Sequence, residues 1–315
     1  MSATFQKYKV KRLLLTMAVF ASGQSLTVGE DYIAAGQTPV HIQTKNATLT
    51  LNVDTLDREL DDATLGYKPQ MLVGQHFEIS TEIEVAGAGT AGNAPVYGGM
   101  FKTAAFGETL NAGTDATYEQ LDDDSWPDAT FYFFHAGRNH KLLGAQANIS
   151  WSLANGAVPT YTLTIKGIYG GVLAATMPTP SFNQITPVKV GSQYTTFMLD
   201  GTEYAMINYS CDQSMEVNYT DIPGYEGISI DDIKPEGSIE ILAPEHGDFD
   251  PFALVTSEAQ TFMPVSCVHG GTAGNIVTFS NPQIQILGVS YGEFEGKRTF
   301  ILPYGGIGKN TVTVA

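Results

Sequence analysis

Basic side chains are scarce. The 315-residue chain has 16 Lys and Arg against 33 Asp and Glu, a formal net charge of −17. Gripping nucleic acid takes clustered Lys and Arg against the phosphates, so this balance argues against a nucleic-acid groove. The same excess of negative charge suits a surface that nucleic acid passes without sticking. Cysteine is equally sparse, at Cys211 and Cys267 only. Two thiols exclude a disulfide framework and a four-cysteine zinc site. Whether they pair stays open in the sequence, with buried free thiols the favoured reading. No apolar run approaches the roughly 18 residues that cross a bilayer as a helix.

The nearest such run, residues 13–21, follows Lys7, Lys9, Lys11 and Arg12 and ends in Val19-Phe20-Ala21. That is the outline of a secretory signal. Its core is short and Thr16 interrupts it, so an N-terminal strand behind a basic tip is the favoured reading. The N-x-S/T sequons at Asn46, Asn148, Asn208 and Asn218 matter only in a protein secreted by a eukaryote.

Catalytic signatures are missing too. His41, His76, His135, His140, His246 and His269 fall in no metal-ligand spacing. There is no G-x-S-x-G elbow, no P-loop and no cysteine–histidine signature. Paired carboxylates such as Asp231-Asp232 are too common in so acidic a chain to indicate glycosidase chemistry. The chain reads as a non-enzyme with no catalytic residues, no metal and no cofactor.

What is present is β-sheet vocabulary. Thirty-three glycines, 15 prolines and many Thr, Val, Ile and Tyr residues describe short strands joined by turns. Period-two alternation recurs at 47–53, 77–85, 129–135, 147–153, 161–168, 237–242, 277–288 and 297–302. In 77–85, Phe77, Ile79, Ile83 and Val85 fall on one face and Glu78, Ser80, Glu82 and Glu84 on the other. Trp151 alternates with Ile149 and Leu153, which places it in a core. One short helix is expected near 95–106, with Pro95 in its first turn and Gly107 as its stop.

The halves echo each other. YTLTIKGIYGG (161–171) is similar to QIQILGVSYGE (283–293), and KPQMLVGQHFEISTEI (68–83) to KPEGSIEIL (234–242). The helix has a weaker counterpart at 251–259. The favoured organisation is two β modules, 1–176 and 187–315, joined by the proline-bearing stretch 177–186. The first carries an acidic, turn-rich insertion at 107–128, read as a solvated loop. One large module over 1–315 is the alternative. G-T-A-G-N occurs at 89–93 and again at 271–275, at non-equivalent places in this comparison.

Gly87, Gly89 and Gly92 spell G-x-G-x-x-G between a strand and the helix. A dinucleotide site needs that motif after a buried parallel strand in a βαβ unit. The preceding strand carries Glu78, Glu82 and Glu84, and burying three unpaired carboxylates is prohibitive. The glycines are read instead as a tight crossing from strand to helix or a flexible loop.

Taken in order, KRLLLTMAVF, then LGYKPQMLVGQHFEISTEIEVAGAGTAGNAPVYGGMFKTAAFGET, then ATFYFFHAGRNHKLLGAQANISWSLANGAVPTYTLTIKGIYG, and finally GTAGNIVTFSNPQIQILGVSYGEFEGKRTFILP resemble the major tail tube proteins of tailed bacteriophages. The likeness is spread over most of the chain and lies in the order of elements. The resemblance implies an all-β fold with one short helix: a β-sandwich or barrel tail-tube module, tandemly duplicated in the favoured reading. Its strands would contribute to an inter-subunit β-barrel. It implies a structural virion protein, made in the host cytoplasm, whose stacked rings form a hollow conduit for DNA ejection. Its partners would be itself, in rings of three pseudo-sixfold chains or of six, and the tape measure, tail terminator and distal tail proteins. Genomic DNA would pass without specific binding, and no membrane is involved. Glu78, Glu82 and Glu84 are the candidate lumen or inter-ring surface. Asp122, Asp123, Asp124 and Trp126 form the candidate inter-subunit loop. The alternative is a secreted β-sandwich adhesin or carbohydrate-binding protein using the N-terminal run as a signal and Trp126 as a contact.

Overall fold

A computed structural model describes residues 9, 11–20, 29–58, 66–123 and 125–315. Among the described residues strands take 56% and helices 4%, and every strand pairing is antiparallel, so the fold is all-β. The described residues hold two short helices rather than one. The first lies inside the expected 95–106 segment and the second inside 251–259.

The first run of elements is β1 (Leu13–Val19), β2 (Val40–Ile42), β3 (Lys45–Leu56), β4 (Met71–Glu84), α1 (Gly98–Thr103), β5 (Phe106–Asn111), β6 (Asp115–Gln120), β7 (Ala129–His135), β8 (Arg138–Ala154) and β9 (Thr160–Ala174). The apolar run behind the basic tip forms β1, held between β2 and β7. Hydrogen bonding orders this run β2–β1–β7–β8–β9–β4–β3. The first half of the acidic insertion is a hairpin, β5–β6, rather than a loop. Ala116 and Tyr118 alternate inward from β6 into the core, which gives the hairpin a buried face.

The second run is β10 (Thr195–Leu199), β11 (Thr202–Glu203), β12 (Met206–Asp212), β13 (Met215–Ile222), β14 (Tyr225–Ile233), β15 (Glu236–Leu242), α2 (Pro251–Thr256), β16 (Met263–His269), β17 (Val277–Ile286), β18 (Ser290–Phe294), β19 (Lys297–Gly306) and β20 (Thr311–Val314). Its pairings follow the order of the first run: β11–β10–β16–β17–β19–β15–β12, with β18 extending β17 along β19.

The correspondence reaches single residues. In β7–β8, Ala129 faces Ala145 and Phe131 faces Leu142, so two residues on one strand oppose three on the other. In β16–β17, Met263 faces Ile284 and Val265 faces Asn281, which is the same bulge. Ile83↔Tyr161 and Thr81↔Leu163 in β4–β9 match Ile241↔Phe300 and Ile239↔Leu302 in β15–β19. The place of 161–167 (YTLTIKG) is therefore taken by 300–306 (FILPYGG), and not by the 283–293 segment that resembles it in sequence.

The runs join where β12 pairs with the C-terminal half of β8, Cys211 facing Trp151. One buried cluster contains residues of both. Trp151 and Tyr161 from the first run meet Phe279 from the second, at ring-centroid distances of 5.3 and 5.9 Å. Aromatic pairs in this range contribute about 0.5–1.5 kcal/mol each beyond their area burial.

Strand β7, ATFYFFH, is apolar at nearly every position because both its faces are covered. Phe131 and Phe133 enter the main core. Leu14, Tyr132 and Phe134 form a small second cluster, against which Ile33, Ala175 and Met177 pack.

Candidate functional site

Residues 87–92 bring the glycine motif to its structural use. The Gly87 amide donates to Asn275 Oδ1 at 2.9 Å, and the Gly89 amide to the Gly274 carbonyl at 2.8 Å. The loop therefore rests on the second G-T-A-G-N segment, 271–275, which is its spatial neighbour. A Cβ on Gly87 would sit 2.2 Å from Gly274 O and 2.5 Å from Asn275 Cα. A Cβ on Gly92 would meet Gly113 N at 2.2 Å, and Gly89 and Gly92 adopt φ of +82° and +79°. Close backbone approach and left-handed φ both demand glycine. A phosphate cradle presents amides with no other partner. Here the amides of Gly87 and Gly89 already have partners, and the helix that follows is six residues long.

Strand β4 alternates as its sequence implies. Phe77, Ile79, Thr81 and Ile83 are buried, while Glu78, Glu82 and Glu84 lie half-buried on the opposite face. Glu84 pairs with Lys45 Nζ at 3.0 Å, and Glu82 Oε1 accepts from Asn46 Nδ2 at 3.2 Å. Glu78 stands between Thr50 on β3 and Lys166 on β9. The three carboxylates thus share one strip of the sheet. Beside them the β13–β14 hairpin, whose strands among the described residues pair only with each other, crosses the sheet: Lys166 Nζ donates to the Val217 carbonyl at 2.7 Å, and Tyr219 stacks on His76 at 4.9 Å.

The acidic loop does not form one cluster. Asp122 pairs with Lys309 at 3.0 Å, and Asp123 Oδ1 accepts from the Ser125 hydroxyl. Trp126 is half-buried against the main core. Asp124 lies outside the described residues. No group of three His, Cys, Asp or Glu that could hold a metal occurs among the described residues. His269 is buried between Thr195 Oγ1 (2.9 Å) and the Val188 carbonyl (3.2 Å), and burial lowers its pKa. Cys211 and Cys267 are free and buried, and burial pushes both thiols up to about 12.

Sequence reading missed a polar anchor. The Tyr32 hydroxyl donates to both Asp128 oxygens, at 2.8 and 2.9 Å, while Asp31 accepts from the Tyr132 hydroxyl and from Lys141 Nζ at 2.7 Å. These contacts fasten 29–37 over β7. Burial raises the Asp31 pKa, but the bonds from Lys141 and Tyr132 outweigh it and the net shift is downward. The only signal in the sequence was the continuous apolar run of β7, which requires cover on both faces.

A second missed feature is an arm. Residues 53–56 of β3 pair with 71–75 of β4, whereas β9 pairs with β4 only from His76 onward. The ribbon therefore outruns the sheet. It exposes Leu56, Met71, Leu72 and Val73, with Leu51 at its base.

No family model matches the chain, and no curated protein matches it. No helix among the described residues is long and apolar enough to cross a membrane.

Proposed function

We propose that this chain is a structural tube-forming subunit, the major tail tube protein of a tailed bacteriophage, whose copies close into rings and stack into a conduit for DNA. The observation that carries the reading is the β3–β4 arm. A two-stranded ribbon exposing Leu51, Leu56, Met71, Leu72 and Val73 is an aggregation hazard on a lone protein and a natural contact in an assembly. The order of sequence elements supports the phage assignment, as does the net charge of −17. In this reading the two runs are tandem tube modules of sandwich or barrel form, and three chains make a pseudo-sixfold ring. Glu78, Glu82 and Glu84 give a lumen or inter-ring surface that repels phosphates.

Electron microscopy of the purified protein tests the reading. Rings or tubes of constant bore are expected at high protein concentration. Monodisperse monomers across the concentration range would overturn it.

A further inference from the structure

The joint inside the chain is a template for a joint between chains. In the first run, the C-terminal half of β8 has β9 on one side and β12, the strand that ends the second run's pairing order, on the other. In the second run, β18 takes the place of that half-strand: Tyr291 faces Phe300 as Trp151 faces Tyr161, and Ser290 faces Ile301 as Ser150 faces Thr162. The far side of β18 carries no strand among the described residues. Strand β3 takes the place of β12: Thr48, Leu49 and Thr50 face Ser80, Ile79 and Glu78, as Ser210, Cys211 and Asp212 face Ser238, Gly237 and Glu236. Its far edge is likewise unpaired among the described residues.

The exposure difference follows the missing partner. Trp151, covered by β12, is 2% exposed, and its counterpart Tyr291 is 60% exposed. Cys211 is buried on β12, whereas its counterpart Leu49 is half-buried. One chain therefore carries two edges that fit each other as its own β12 and β8 do, on opposite runs, where they cannot meet within the same joint.

We infer that the free edge of β3 adds to the free edge of β18 of a second copy, in the register that joins β12 to β8. The occupant is another copy of this chain. Within the chain, Trp151 faces Cys211 and Ser150 faces Asp212. Between chains, Tyr291 then faces Leu49 and Ser290 faces Thr50. The β3–β4 arm follows its strand across the neighbour's β17–β18 and β19, as the β13–β14 hairpin crosses β8 and β9. That covers the apolar residues of the arm. The contact is head-to-tail, so repeating it closes a ring or runs on as a filament. It deepens the tube reading and rests on it for ring closure.

Disulfide trapping in the full chain tests the pairing. Thr50 and Ser290 are both exposed, so T50C with S290C leaves the core intact. The native thiols are buried and do not compete. Residues directly opposite on antiparallel strands lie about 5 Å apart and can bridge; T48C with S290C, displaced by two residues, puts the Cα atoms about 8 Å apart, beyond bridging distance. The expected result is loss of the monomer band to covalent multimers with the first pair and its retention with the second. Micrographs of the same samples separate the two ideas. Rings or tubes without the T50C–S290C bridge, or with equal bridging by both pairs, overturn the edge pairing and leave the tube reading standing. Bridged multimers without rings or tubes uphold the pairing and overturn the tube reading. Unbridged, dispersed monomers overturn both.

Discussion

Replacing Gly87 by alanine isolates the contact between the two G-T-A-G-N loops. Gly87 does not have a left-handed φ, so the substitution adds a methyl group without backbone strain of its own. That methyl carbon would lie 2.2 Å from Gly274 O. Relief to an ordinary contact needs a displacement of about 1 Å, which stretches the 2.8 Å Gly89–Gly274 bond and the 2.9 Å Gly87–Asn275 bond past hydrogen-bonding range. Two lost bonds at about 1 kcal/mol each, with overpacking of about 1–3 kcal/mol, give a destabilisation of about 3–5 kcal/mol. Guanidinium chloride unfolding of G87A beside wild type measures it. G247A is the control, because a methyl group there meets nothing within 4 Å and φ is ordinary; it should shift stability by no more than about 1 kcal/mol. A G87A protein within 0.5 kcal/mol of wild type would refute the packing account of the glycine motif.

Asp31→Asn removes a carboxylate that is held below its usual pKa, so its stabilisation is present above the unfolded value near 4 and is lost as pH falls through the folded value. The variant should lose about 1–3 kcal/mol at pH 7, and the gap to wild type should narrow in unfolding curves below about pH 4. The thiols of Cys211 and Cys267 should resist iodoacetamide in the folded protein at pH 8 and react on unfolding; rapid native labelling by mass spectrometry would contradict their burial. Changing Glu78, Glu82 and Glu84 together to Lys should leave the strand folded, since all three side chains face away from the core. Assembled protein should then retain DNA in low salt, in filter binding that wild type fails; no gain in retention would remove these residues from a DNA-facing surface.

The alternation of Phe77, Ile79 and Ile83 with Glu78, Glu82 and Glu84 was readable because a strand has only two faces, and local sequence names which is apolar. Trp151 in the core and the short helix at 98–103 were readable for similar local reasons, while the helix at 251–256 showed only as a weaker echo of the first. The hairpin nature of 106–120 was not, because its stability comes from pairing with β20 nearly two hundred residues later. Nor was the use of Gly87, whose partner Asn275 is 188 residues away. The echo between 161–171 and 283–293 misled for a related reason: strands that share alternation look alike whichever partner they take, and only the hydrogen-bond register distinguishes them.

The sequence by itself therefore determined the alternating strands, their buried faces and the acidic charge. These follow from the period of side chains along each segment and from composition. Tertiary structure alone decided that two distant glycine loops touch, that the second run repeats the pairings of the first, and that β3 and β18 keep open edges among the described residues. Backbone hydrogen bonds carry no side-chain signature, so the choice of which strand edge is filled and which is left for a neighbour is written only in three dimensions.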